Sequence, residues 1–119
     1  MEERRNLERR HLIYYLRIFD RDTDRAIGRL CDITPEGIMM ISENTIETDK
    51  LFNLRLVLPE QFWGIEEYAF EAESVWCKPD DIPQFYNTGF KLLDNSEKNK
   101  SIFERLIHEF QYQGWSASN

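Results

Sequence analysis

Six short stretches rich in aromatic and β-branched residues follow one another closely, and only one stretch near the end keeps a helical period. That succession limits the chain to a small, mainly β architecture closed by a single helix. The first stretch runs from His11 to Phe19. Asp20-Arg21-Asp22-Thr23-Asp24 then turns the chain. Arg25 to Ile33 forms a second strand, with Ala26, Gly28 and Leu30 on one face and Ile27, Arg29 and Cys31 on the other. Thr34 to Gly37 turns it again, and Ile38 to Ile41 returns. Ser42 to Lys50 is polar and reads as a loop. Phe52 to Leu58 is a fourth strand stopped by Pro59, and Phe62-Trp63-Gly64 reads as a hairpin connection.

Tyr68 to Trp76 is a fifth strand, in which Tyr68, Phe70, Ala72, Ser74 and Trp76 alternate against Ala69, Glu71, Glu73 and Val75. Pro79 through Pro83 breaks it, and Phe85 to Leu93 is the sixth, with Gly89 inside. Ser96 suits a helix N-cap, and Ile102, Phe103, Leu106, Ile107 and Phe110 recur on one helical face. Gly114 is placed as a C-cap, leaving Trp115 to Asn119 as a loose tail. The predicted fold is therefore a six-stranded antiparallel β-barrel over residues 11–114 with a C-terminal α-helix packed against it, preceded by a polar arm at 1–10. A barrel of this size fills its interior with side chains, so a ligand would bind on the outer wall or rim.

At 119 residues with 41% hydrophobic and 31% charged residues, the chain is expected to form one soluble domain. No apolar run matches a membrane span and no signal-peptide pattern opens the sequence, so the expected location is the cytoplasm, without membrane insertion. The net charge of −7 argues against a DNA or RNA polymer as partner. The charge is uneven, however. Residues 1–29 carry eight arginines, no lysine and six acids, whereas the remainder carries seven basic residues against sixteen acids. Arginine offers a planar fork of donors suited to phosphate and to the O6/N7 edge of guanine. An arginine-rich arm around a small anion suits this balance better than a polymer lying across the surface.

Other chemistry finds little support. Cys31 and Cys77 lie in apolar strand-like stretches and read as reduced packing residues. His11 and His108 lack partners at metal-ligand spacing, so no metal is assigned. Glu66-Glu67 and Asp80-Asp81 read as solvated turns, and no nucleophile–base arrangement stands out; the chain is not expected to be an enzyme, and no catalytic residue is assigned. Trp76 has two open roles, packing at the core or rim and stacking a base.

Two clusters remain. Arg4-Arg5-Asn6-Leu7-Glu8-Arg9 is an Arg-Arg-x-x-x-Arg run, and Asp32-Ile33-Thr34-Pro35-Glu36-Gly37 is an Asp-x-Thr-x-x-Gly turn one strand later. A short carboxylate at a turn can accept from the Watson–Crick donors of guanine, and a glycine there allows close backbone approach. Each motif alone is weak. In this order, with a strand between them, and with Gly28 and Thr88-Gly89-Phe90-Lys91 in place, the chain resembles the PilZ domain, a bacterial receptor for cyclic di-GMP.

The resemblance implies roles for particular residues. Arg5 and Arg9 would hold phosphate and the guanine edge, Asp32 would accept from guanine, Thr34 would add a hydroxyl contact, and Gly37 would permit the tight turn. Thr34 stands where the family usually has Ser, and Glu36 places a negative charge near the ligand. Arg4, directly before the motif, goes in this family with an intercalated pair of cyclic di-GMP molecules. No cofactor beyond this ligand is expected. The implied function is a receptor that orders its arm on binding and changes a surface for a downstream protein partner. The alternative is an interaction domain on the same fold, serving pilus or flagellar function without the nucleotide.

Overall fold

The computed structural model describes residues 16–58, 67–93 and 96–117, with 109–117 by backbone alone. Its strands are β1 (Arg17–Asp20), β2 (Arg25–Thr34), β3 (Gly37–Ser42), β4 (Lys50–Val57), β5 (Glu67–Pro79) and β6 (Tyr86–Leu92), followed by helix α1 (Glu97–Ala117). All neighbouring strands are antiparallel, and the order β1-β2-β3-β6-β5-β4 closes on itself because β1 pairs with both β2 and β4. The expected six-stranded barrel with a C-terminal helix is the observed fold. Residues 11–15 of the first predicted strand, the Phe62-Trp63-Gly64 connection and the arm at 1–10 lie outside the described residues.

The interior is filled by Ile18, Leu30, Ile33, Met40, Leu54 and Leu56, all fully buried. Helix α1 adds Phe103 and Leu106 to the same cluster, and Ile102 and Ile107 pack against it half-buried. Phe103 meets Tyr68 and Phe70 of β5 with ring centroids 6.0 and 6.3 Å apart, so the helix is held to the barrel by aromatic packing. Ser96 caps the helix as expected: its Oγ accepts from the Asn99 N–H at 3.3 Å. Gly114 does not end the helix, which runs through it to Ala117. A glycine inside a helix costs only about 1 kcal/mol relative to alanine, which does not by itself stop a helix.

Three bulges break the strict alternation read from the sequence: one leaves Ile27 unpaired between the Ile18–Gly28 and Phe19–Ala26 pairs, and two bear on the outer wall. In β2, Leu30 pairs with Met40 and Asp32 with Met39, so Cys31 is the extra residue. Unbroken alternation would place Asp32 on the core face with Gly28 and Leu30; the bulge turns it outward. In β5, Ser74 pairs with Phe90 and Trp76 with Gly89, so Val75 is the extra residue. Trp76 therefore leaves the face it shares by sequence with Tyr68, Phe70, Ala72 and Ser74, and lies on the outer wall. Cys77 turns inward instead and accepts a hydrogen bond from Thr88 Oγ1 at 3.5 Å.

The buried Ser74 hydroxyl has a structural role. Its Oγ donates to the Glu47 carbonyl at 2.6 Å and accepts from the Lys50 N–H at 3.1 Å. These bonds fasten the 43–49 connection to β5 where it enters β4.

Candidate ligand-binding wall

The two bulges bring one row of outward-facing residues together across four strands. Asp32 of β2 pairs with Met39 of β3, Met39 with Gly89 of β6, and Gly89 with Trp76 of β5. The next outward row runs Thr34, Gly37, Lys91, Glu73. A groove of about 780 Å³ lies over these rows. The Thr34–Gly37 turn bounds it on one side, and Asn99, Lys100, Phe103 and Glu104 of α1 bound it on the other. It is concave, with a mixed apolar and polar lining, as expected of a small-molecule site.

Asp32 is exposed, and its Oδ1 accepts from the Ile33 N–H at 2.8 Å. Its other oxygen, Oδ2, has no hydrogen-bond partner among the described residues and is open to a ligand's donors. The Thr34 hydroxyl closes the turn: Oγ1 donates to the Gly37 carbonyl at 3.4 Å and accepts from the Glu36 N–H at 3.3 Å. Both bonds are long, so little is lost when this hydroxyl turns toward a ligand. Glu36 anchors the turn to the barrel through its carbonyl, which accepts from the Leu92 N–H at 3.1 Å.

The structure gives Gly37 a different reason from the one read in the sequence. Its φ is not in the left-handed region, so the turn itself does not demand glycine. The demand comes from β6: a Cβ at this position would collide with the Phe90 carbonyl oxygen. Gly89 is constrained by a side chain instead, since a Cβ there would enter the Trp76 indole. The indole thus lies directly on the Gly89 backbone, half-buried, with the Lys78 ammonium 5.3 Å from its ring centroid.

Asp32, Thr34 and Gly37 are brought together at one edge of the groove, and Trp76 lies at the other end of the Asp32 row, three strands away. Arg4, Arg5 and Arg9 lie outside the described residues, so their position relative to Asp32 is not described. Met39 and Lys100 are wall residues that the sequence reading did not single out, and Lys91 entered it only through the Thr88-Gly89-Phe90-Lys91 resemblance. A glycine inside β6 was the one available signal, because such a glycine often marks close approach of another group. Among the described residues no group of three or more His, Cys, Asp and Glu could hold a metal ion. No helix among them is long and apolar enough to cross a membrane.

Comparison with solved structures agrees with this architecture. The PilZ domain with c-di-GMP of YcgR from Escherichia coli superposes with a TM-score of 0.65 at 14% identity, covering 82% of each chain. The structure of Bacillus subtilis inhibitor of motility (MotI/DgrA) gives 0.62 at 12% identity, over 82% of this chain and 46% of that one. K. pneumonia MrkH in its apo state gives 0.65 at 11% identity, over 85% of this chain and 47% of that one. The chain thus spans under half the length of the latter two. No family model and no curated protein matches the sequence. The fold is that of PilZ domains.

Proposed function

We propose that this chain is a cyclic di-GMP receptor that binds the nucleotide on the outer wall of its barrel. The observation carrying this reading is the row Asp32–Met39–Gly89–Trp76, which two bulges turn outward beside the Thr34–Gly37 turn. It sets an acceptor for guanine N–H groups at one end of a shallow groove and an aromatic face at the other. A purine between them would bond through its edge and stack through its plane. The fold is shared with a PilZ domain solved with c-di-GMP, which supports the choice of ligand.

In this reading Arg5 and Arg9 supply the phosphate and guanine-edge contacts from the N-terminal arm, and Arg4 allows an intercalated pair of nucleotides. Lys91 and Lys100, which line the groove, add positive charge against the phosphates and offset Glu36 and Glu104. Binding orders the arm against the barrel and alters a surface for a downstream protein. No hydrolytic or transfer step is part of this function.

The test is thermal unfolding and titration calorimetry with cyclic di-GMP, using GMP as control. A saturable rise in melting temperature with the cyclic dinucleotide alone is expected. Amide exchange should be fast in residues 3–10 without ligand and slow with it. Absence of any calorimetric signal at millimolar cyclic di-GMP would refute the assignment.

A further inference from the structure

The barrel wall carries a pair of like charges that no described side chain neutralises. Arg17 of β1 and Arg29 of β2 are directly paired across the antiparallel ladder, and both are exposed. Like charges opposite one another in a sheet are destabilising, because their Cβ atoms are only about 5 Å apart. Neither arginine makes an ion pair or a side-chain hydrogen bond with a described residue. Arg17 only leans over Phe19, with Cζ 5.5 Å from the ring centroid. On the far side of Arg29 the row continues to Ile41, which is apolar.

Nearby Arg55 shows how this wall otherwise treats a guanidinium. It also sits over Phe19, at 4.3 Å, but is held by Glu67 at 2.7 Å and Asp24 at 2.9 Å. Those acids, the Glu67 hydrogen bond foremost, raise its pKa and hold it charged. Among the described residues Arg17 and Arg29 have no such pair of acids.

We infer that the Arg17–Arg29 pair is a phosphate-binding position on the barrel wall, outside the Asp32 groove, whose lining includes neither arginine. A carboxylate has two oxygens and is satisfied by one guanidinium fork. Two forks carried by directly paired residues of adjacent strands can share an anion with further acceptor oxygens, which a tetrahedral phosphate supplies. The phosphate can belong to a cyclic dinucleotide reaching beyond the groove or to a free oligophosphate.

The experiment uses the full chain at low ionic strength with inorganic pyrophosphate as the probe. Melting temperature and calorimetric affinity are measured for the wild type, Arg17→Gln, Arg29→Gln and, as a control from the exposed β1–β2 turn, Arg21→Gln. Without anion, Arg29→Gln should melt above the wild type because the repulsion is relieved. With pyrophosphate, the wild type and Arg21→Gln should shift alike, whereas Arg17→Gln and Arg29→Gln should bind about tenfold more weakly, the usual loss for one charged hydrogen-bonding partner. Equal pyrophosphate affinity in all four proteins overturns the inference, as does an Arg29→Gln variant no more stable than the wild type without anion. Repeating the pyrophosphate titration on the wild type in excess cyclic di-GMP separates the two sources: competition assigns the phosphate to the nucleotide, and its absence to a free oligophosphate. Because pyrophosphate is the probe, the outcome for the pair is independent of whether the wild type binds cyclic di-GMP.

Discussion

Gly89→Ala tests the wall at its most constrained point. The three atoms nearest to the added methyl all belong to the Trp76 ring, so the indole must swing away while the backbone stays. Displacing a half-buried indole uncovers roughly 60 Å², a fraction of what a fully buried tryptophan covers. At about 25 cal/mol per Å² this costs about 1.5 kcal/mol. Alanine in place of a strand glycine returns about 0.5–1 kcal/mol of backbone entropy. The net loss should be somewhat under 1 kcal/mol, a fall in melting temperature of about 4 °C or less. Binding should suffer more, because base–aromatic stacking is worth about 1–3 kcal/mol and would be lost with the ring. Cyclic di-GMP affinity should therefore drop about 5- to 150-fold.

A double-mutant cycle with Trp76→Ala makes the reasoning sharp. With the indole gone, nothing among the nearest atoms opposes the methyl, and Gly89→Ala should stabilise by about 0.5–1 kcal/mol. The sign of the same substitution thus reverses between the two backgrounds. Thermal unfolding and calorimetry on all four proteins would measure it. Additive effects, or wild-type affinity in Gly89→Ala, would show that Trp76 neither rests on Gly89 in solution nor contacts the ligand.

Further outcomes follow from the same geometry. Gly37→Ala should destabilise by about 3 kcal/mol, the upper end for overpacking, because the obstacle is the Phe90 carbonyl rather than a movable side chain; denaturant unfolding measures it. Asp32→Ala should weaken cyclic di-GMP binding strongly and Asp32→Asn less so, since the amide keeps one acceptor oxygen; calorimetry with wild-type affinity in both would confine Asp32 to bonding the Ile33 N–H. Arg5→Ala and, separately, Arg9→Ala should abolish binding while changing stability by no more than about 0.5 kcal/mol, read by calorimetry and thermal unfolding on the same samples. Arg4→Leu should reduce the bound ligand from an intercalated pair to a single molecule per chain with a weaker salt dependence, measured by titration with a known active fraction.

The strand plan was readable because each strand carries its own punctuation. Asp20 to Asp24 supplies the first turn, with Asp24 taking a positive φ of 59°, and the 79–83 prolines separate β5 from β6. Asp32, Thr34 and Gly37 were readable as one turn at the start of β3. The outward direction of Asp32 and Trp76 was not, because a bulge depends on the partner strand's register: Cys31 and Val75 look like ordinary alternating residues until Met39, Met40, Phe90 and Gly89 are paired against them. The reason for Gly37 was hidden in the same way, since Phe90 lies far along the chain and only the β3–β6 ladder brings its carbonyl close. Lys100 was missed because it reaches the groove only through the docking of α1, which depends on Phe103 meeting Tyr68 and Phe70.

Closure of the ladder restricts how any protein could recognise this domain. Because β1 hydrogen-bonds to both β2 and β4, the described sheet has no free edge strand along the span that β1 covers. Along that span an extended peptide cannot join as an added strand, and another copy cannot pair edge to edge. Recognition there must therefore read side chains: the charges along the outer wall, the mouth of the groove, or the exposed face of the helix. A signal passed by this domain would then be carried by which side chains are covered and which charges are neutralised, with the hydrogen-bonded frame beneath them left as it is.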